Sequence, residues 1–72
     1  GAVNAGRRTG DLLRVTFSTL LYMTEDMEDQ ACHFPLREGD VATYLGEEVD
    51  KYLKVLARGT VGWLGDGAYE WL

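Results

Sequence analysis

The sequence has few of the side chains that carry most enzyme chemistry and metal binding. Its 72 residues include one cysteine, one histidine and one serine. Cys32 and His33 are chain neighbours, so on an extended segment their side chains point to opposite faces and cannot act as nucleophile and base. We expect Cys32 to be a small buried hydrophobic residue instead. These residues cannot supply a four-ligand zinc set. We therefore expect a protein that is not an enzyme and uses no metal and no cofactor.

Other absences bear on location and partners. A single cysteine cannot form an internal disulfide, which favours a reducing, cytoplasmic setting. No apolar run approaches the roughly 20 residues of a membrane span, so we expect no membrane insertion. Seven Lys and Arg stand against twelve Asp and Glu, for a formal net charge of −5. Such a chain repels phosphates, which disfavours nucleic acid as a partner and favours a basic one.

Glycine is abundant, and its distribution argues against long helices. The chain has nine glycines, most of them in its second half. Gly59, Gly62, Gly65 and Gly67 lie between predicted strands and do not match the dinucleotide fingerprint G-x-G-x-x-G. We assign them to turns and bulges.

Alternating apolar and polar residues predict an all-β domain. Leu13, Val15 and Phe17 alternate with polar neighbours, and residues 20–22 extend this strand. The segments 24–30 and 46–51 are charged and predict loops. Two β-prone runs, 52–57 and 60–64, are joined by Arg58 and Gly59 and predict a hairpin. We expect a flexible tail over residues 1–11 and one domain over 12–72, built from five short strands. An OB-type barrel, or an α+β domain with one helical turn over 25–31, remains an alternative.

Several motifs in order along the chain resemble those of SH3 domains. The segment 34–40 (FPLREGD) resembles the L-x-F-x-x-G-D diverging turn, and 20–23 (LLYM) lies upstream at about the distance of the A-L-Y-D-Y motif. The acidic segment between them matches the RT loop. Downstream, 52–55 (YLKV) lies where the family has W-W-K-A, and 59–64 (GTVGWL) resembles G-x-x-G-[YWF]-[IFV]. The resemblance covers residues 14–72 and implies a small five-stranded SH3-like barrel.

The resemblance also implies a set of binding residues. SH3 domains dock proline ridges between aromatic rings, while acidic loop residues pair with a neighbouring Arg or Lys. The implied ligand groove comprises Tyr22, Tyr52, Trp63, Leu64 and Tyr69. The implied charge selector comprises Glu25, Asp26, Glu28, Asp29, Glu47 and Glu48.

The chain departs from the family at groove positions. Thr24 replaces the second tyrosine of A-L-Y-D-Y, Tyr52 and Leu53 replace the paired tryptophans, and Gly65 replaces a proline. We therefore expect proline-peptide binding to be weak or non-standard. Trp71 is either the inward residue of the last strand or an exposed anchor.

These features lead to one main functional hypothesis. We expect a non-catalytic protein-interaction module of a larger intracellular signalling or scaffold protein. Its partner would be a proline-rich or basic extended segment, including one within its own parent chain. The alternative is a structural or assembly subunit with an SH3-like barrel that docks through another face. A small regulatory subunit of an enzyme is a third option.

Overall fold

A computed structural model describes residues 6–24 and 31–72, and within them the chain is all-β. These residues contain no helix, and therefore none that is long and apolar enough to cross a membrane. The strands are β1 (Leu12–Val15), β2 (Thr19–Tyr22), β3 (Cys32–Leu36), β4 (Val41–Val49), β5 (Tyr52–Ala57), β6 (Thr60–Gly65) and β7 (Tyr69–Trp71). They form one antiparallel sheet in the order β3-β2-β6-β5-β4-β1-β7.

The first predicted strand is divided into two. Leu13 and Val15 are fully buried on β1, as their alternation predicts, but the strand ends at Val15. Phe17 lies between β1 and β2, and 69% of its surface is exposed. The chain changes partners here, because β1 pairs with β4 and β7 whereas β2 pairs with β3 and β6. This change of partner turns one predicted strand into two, and the described residues form seven strands where the sequence predicts five.

Two of the turns between strands lie at glycines, as the sequence predicts. Arg58 and Gly59 have φ values of 51° and 75° and join β5 to β6, which confirms the predicted hairpin. Left-handed backbone at both central positions matches a type I′ turn. The predicted turn at Gly39 and Asp40 is also present. There the Asp40 amide donates to the Arg37 carbonyl and the Arg37 amide donates to Asp40 Oδ2, at 3.0 and 2.8 Å.

The segment predicted as a second charged loop is mostly strand. β4 continues to Val49, with a register shift between Tyr44 and Glu48. Gly46 lies inside this irregularity with φ of 85°, a conformation that glycine adopts without strain. The irregularity lets β4 resume pairing with β5, so only Asp50 and Lys51 remain as the connection.

One hydrophobic core lies on the inner face of the sheet. Its buried members are Leu13, Val15, Leu21, Leu36, Ala42, Tyr44, Leu53, Val55, Ala57 and Leu64, with Phe34, Tyr69 and Trp71 packed against them. Strands β3 and β7 lie at opposite ends of the strand order, yet both contribute to this core. The sheet is therefore strongly curved around a single cluster.

The described part of the predicted tail contacts the sheet. The Gly10 amide donates to the Tyr44 carbonyl, and the Tyr44 amide donates to the Asp11 carbonyl, both at 2.8 Å. The Arg7 guanidinium lies 4.7 Å from the centre of the Trp71 ring. Residues 6–11 thus run along the end of β4 and over β7. Residues 1–5 of the predicted tail lie outside the described part of the chain.

Candidate functional site

Three aromatic residues from three neighbouring strands meet on the outer face of the sheet. Trp63 on β6 lies opposite Tyr22 on β2 and opposite Lys54 on β5. Directly paired residues share a face, and residues two apart on a strand do as well, so Tyr52 belongs to the same face. The Tyr22 and Tyr52 rings are 5.8 Å apart at an interplanar angle of 87°. We call these two half-buried rings the tyrosine pair.

Trp63 and Leu64 have different roles from those that the resemblance implied. Trp63 is only 9% exposed, so it offers no broad open surface to a ligand. Leu64 is fully buried in the core, because neighbouring residues of a strand point to opposite faces. The structure therefore places Leu64 on the inner face of the sheet, whereas Tyr22 and Tyr52 are partly exposed on the outer face.

Tyr69 belongs to a second aromatic cluster on β7. Its ring lies 5.8 Å from that of Trp71, and the Trp71 ring lies 5.4 Å from that of Tyr44, both in edge-to-face geometry. Trp71 lies opposite the buried Leu13, so it is the inward residue of the last strand. Its Nε1–H is buried and has no acceptor among the described residues. The structure thus assigns Tyr69 to packing on the core, in a cluster separate from the tyrosine pair.

The predicted charge selector is only partly covered by the structure. Glu25, Asp26, Glu28 and Asp29 lie outside the described residues. Glu47 Oε2 is 3.1 Å from Lys54 Nζ, next to Trp63 on the outer face. Glu48 lies opposite the buried Leu53 in the β4–β5 ladder. Of the two described members of this set, Glu47 is the one near the aromatic residues.

Two acidic residues that the sequence analysis did not select border the tyrosine pair. Asp50 and Asp66 line an open cleft of about 370 Å³ together with Lys51, Tyr52 and Gly65. Asp50 follows β4 and Asp66 follows β6, and the antiparallel pairing of Tyr52 with Gly65 brings these ends together. In the sequence, both residues stand close to the end of a predicted strand: Asp50 shortly before 52–57, and Asp66 shortly after 60–64. The missing information was which strand ends are adjacent.

The phenol of Tyr52 responds to this environment. Burial raises its pKa above the ordinary value of 10.0, and the nearby Tyr22 and Asp50 raise it further. A nearby carboxylate raises the pKa of a phenol because it repels the phenolate. The cleft therefore presents a neutral phenol beside negative charge at neutral pH.

Cys32 and His33 lie at the start of β3, where Cys32 is opposite Tyr22 and therefore next to the tyrosine pair. Cys32 is exposed, so the prediction of a buried residue is wrong. The reason is that β3 lies at one end of the strand order and packs inward mainly through Leu36. His33 is also exposed, and its ring lies 6.3 Å from that of Phe34. In residues 6–24 and 31–72, no three His, Cys, Asp or Glu side chains cluster as metal ligands would.

Comparisons with protein-family models, with curated proteins and with solved structures each gave no match.

Proposed function

We propose that this chain is a non-catalytic interaction module that binds an extended peptide across the tyrosine pair. The observation that carries the proposal is the half-exposed pair of Tyr22 and Tyr52, set edge to face beside a cleft lined by Asp50 and Asp66. Because the two rings are perpendicular, a proline ring or an aliphatic side chain can pack against the face of one ring and the edge of the other. A polyproline II segment already has the extended shape that such a surface needs, so it loses little conformational entropy on binding.

The charges of the cleft favour a ligand with a basic residue. Asp50 and Asp66 supply two carboxylates to its lining, against one ammonium group from Lys51. An Arg next to the prolines would donate to these carboxylates in charge-assisted hydrogen bonds. Lys54 adds no competing positive charge, because it is paired with Glu47. The proposed ligand is therefore a proline-rich or basic extended segment, including one in the parent chain.

We also propose that the curved sheet is a small SH3-like barrel in a larger cytoplasmic signalling or scaffold protein. A single sheet whose first and last strands pack on the same core supports a barrel. The turn at Arg37–Asp40 lies in the segment that resembles the diverging turn of SH3 domains, which supports this proposal. The exposed, unpaired thiol of Cys32 is compatible with a reducing compartment.

A peptide titration followed by NMR tests the binding proposal. The probe is a twelve-residue proline-rich peptide with one Arg, compared with the same peptide carrying Glu in place of that Arg. We expect amide shifts centred on Tyr22, Tyr52 and Asp50, with a Kd on the order of 100 µM to 1 mM. Tyr52→Ala should weaken binding at least about tenfold, because a ring wall of the site is lost. Phe17→Ala removes an exposed aromatic elsewhere and should leave the affinity unchanged.

Two outcomes would contradict the proposal. The absence of shifts at both tyrosines up to millimolar peptide would exclude binding at this surface. Equal affinity for the Arg and Glu peptides would exclude the proposed role of Asp50 and Asp66. Shifts confined to another face would instead favour the alternative of a structural subunit that docks without a proline-peptide site.

A further inference from the structure

An aliphatic row crosses four neighbouring strands on the outer face of the sheet. Val61 on β6 lies opposite Leu56 on β5, which lies opposite Thr43 on β4, which lies opposite Leu12 on β1. The amide of Leu72 donates to the Leu12 carbonyl and continues the row beyond β1. We call these five residues the outer row.

The outer row is unusually apolar for its exposure. The four aliphatic members Leu12, Leu56, Val61 and Leu72 are 38% to 61% exposed. The outer face of an antiparallel sheet is commonly polar when it faces water. Together with the neighbouring Val41, which is 49% exposed, these side chains offer an apolar area on the order of 400 Å². Patches of this size on a small domain often mark an interaction surface.

The charges beside the outer row are balanced, unlike those of the chain as a whole. On one side, Arg14 lies opposite Val41 and is paired with Glu70. On the other side, Lys54 lies two residues before Leu56 on β5 and is paired with Glu47. The net charge of −5 is therefore not concentrated around this row. On the Arg14 side, Arg58, two residues after Leu56 on β5, is also paired, with Asp40. Both sides (rims) of the row therefore carry paired groups of opposite sign.

The paired charges beside the outer row favour some binding partners over others. A strongly basic or acidic partner would have to compete with ion pairs that already exist. A two-fold interface, in contrast, places one patch against a copy of itself and needs both signs on that patch. The outer row with its two rims meets this requirement, because opposite charges are available at both of its sides.

We propose that two copies of this chain associate through their outer rows to form a symmetric dimer. An apolar area on the order of 400 Å² per copy is about half of the roughly 800 Å² per partner in a standard interface, so the dimer should be weak, with a Kd on the order of 100 µM. Leu56 and Tyr52 are four residues apart on β5, or about 13 Å along the strand. Tyr52 therefore lies outside the apolar contact of such a dimer, with the rim residue Lys54 between the two surfaces.

Sedimentation equilibrium and light scattering from 10 µM to 1 mM test this proposal. The mass should rise from 8.0 kDa toward twice that value over this range. Leu56→Lys and Val61→Lys should each weaken dimerisation at least about tenfold, because a charge would be buried in an apolar contact. The matched control is Phe17→Lys, which adds the same charge at an exposed apolar position outside the strands and should leave dimerisation unchanged.

The dependence on salt concentration distinguishes dimerisation from peptide binding. Raising NaCl from 50 to 500 mM should strengthen the dimer, because it screens repulsion between two chains of net charge −5. The same change should weaken binding of an Arg-bearing peptide at the tyrosine pair. The two proposals can therefore fail independently.

Two results would overturn the dimer. One is a wild-type chain that stays at 8.0 kDa through 1 mM at both salt concentrations. The other is equal loss of association in Phe17→Lys and in the two row variants. Circular dichroism checks that each variant is folded, and Val61→Thr, which keeps the shape of the side chain, should weaken the dimer even if Val61→Lys does not fold.

Discussion

Gly62 is the residue at which a single methyl group should perturb the fold most directly. It lies on β6, opposite the buried Val55, and faces the core. A Cβ at this position would lie 2.5 Å from Leu21 Cγ, 2.9 Å from Leu21 Cδ1 and 2.9 Å from the Tyr22 carbonyl oxygen. Carbon atoms pack at about 3.5 to 4.0 Å, so Leu21 would have to move by about 1 Å.

The surroundings offer no easy relaxation for Gly62→Ala. Leu21 is fully buried, and the Tyr22 carbonyl belongs to the backbone of β2. Overpacking of this kind costs about 1 to 3 kcal/mol. The lower entropy of the unfolded chain returns at most about 1 kcal/mol. We expect a net loss of about 1 to 2 kcal/mol in the free energy of unfolding, and a fall of roughly 4 to 16 °C in Tm for a domain of this size.

Gly65→Ala is the matched control on the same strand. A Cβ there would lie 3.4 Å from Tyr52 Cε1, which is ordinary contact. The unfolding free energy should therefore stay constant or rise by up to about 1 kcal/mol. Urea denaturation followed by tryptophan fluorescence measures both variants. A Gly62→Ala protein within about 0.5 kcal/mol of wild type, or one no less stable than Gly65→Ala, would refute the close approach of β2 and β6.

Two further predictions concern a turn and the core. The backbone amide of Arg37, and then the Arg58 guanidinium at 2.7 Å, hold the pKa of Asp40 below its ordinary value of 3.8. This stabilisation of the folded state is thus present above about pH 4 and is lost as the pH falls through the folded-state pKa, so Asp40→Asn should be less stable than wild type at pH 7, with the difference shrinking as the pH falls below about 4. Glu38→Gln is the control, and a pH-independent difference for Asp40→Asn in chemical denaturation would contradict this linkage. Leu64→Ala should lower the unfolding free energy by about 2 to 4 kcal/mol through a core cavity, and a loss below about 1 kcal/mol would contradict its burial.

Local patterns predicted the parts of the fold that depend on neighbouring residues. The hairpin at Arg58 and Gly59 follows from a short connection with left-handed backbone, which needs no information from the rest of the chain. The burial of Leu13 and Val15 follows from alternation within one strand. Each of these features depends on only a few neighbouring residues, and for that reason it could be predicted from the sequence.

Alternation alone does not say which face of a strand is buried. On β4, Val41 and Thr43 share one face, whereas Ala42 and Tyr44 share the other. Hydrophobicity gives little reason to choose Ala42 over Val41, yet Ala42 is buried and Val41 is exposed. The choice follows from pairing with β1, where Ala42 lies opposite the buried Leu13. The exposed outer row is a consequence of this register, which the sequence pattern could not reveal.

The candidate site depends on register even more strongly. Trp63 joins the outer face because it pairs with Tyr22 and Lys54, and a slip of one residue would turn Leu64 outward and Trp63 into the core. The contact between β2 and β6 that sets this register passes over Gly62, where no side chain larger than hydrogen fits beneath Leu21. Gly62 therefore couples the packing of the core to the position of Tyr22. Gly62, on the opposite face of the sheet, therefore influences the proposed binding surface through the position of Tyr22. A motif comparison restricted to groove positions does not include it.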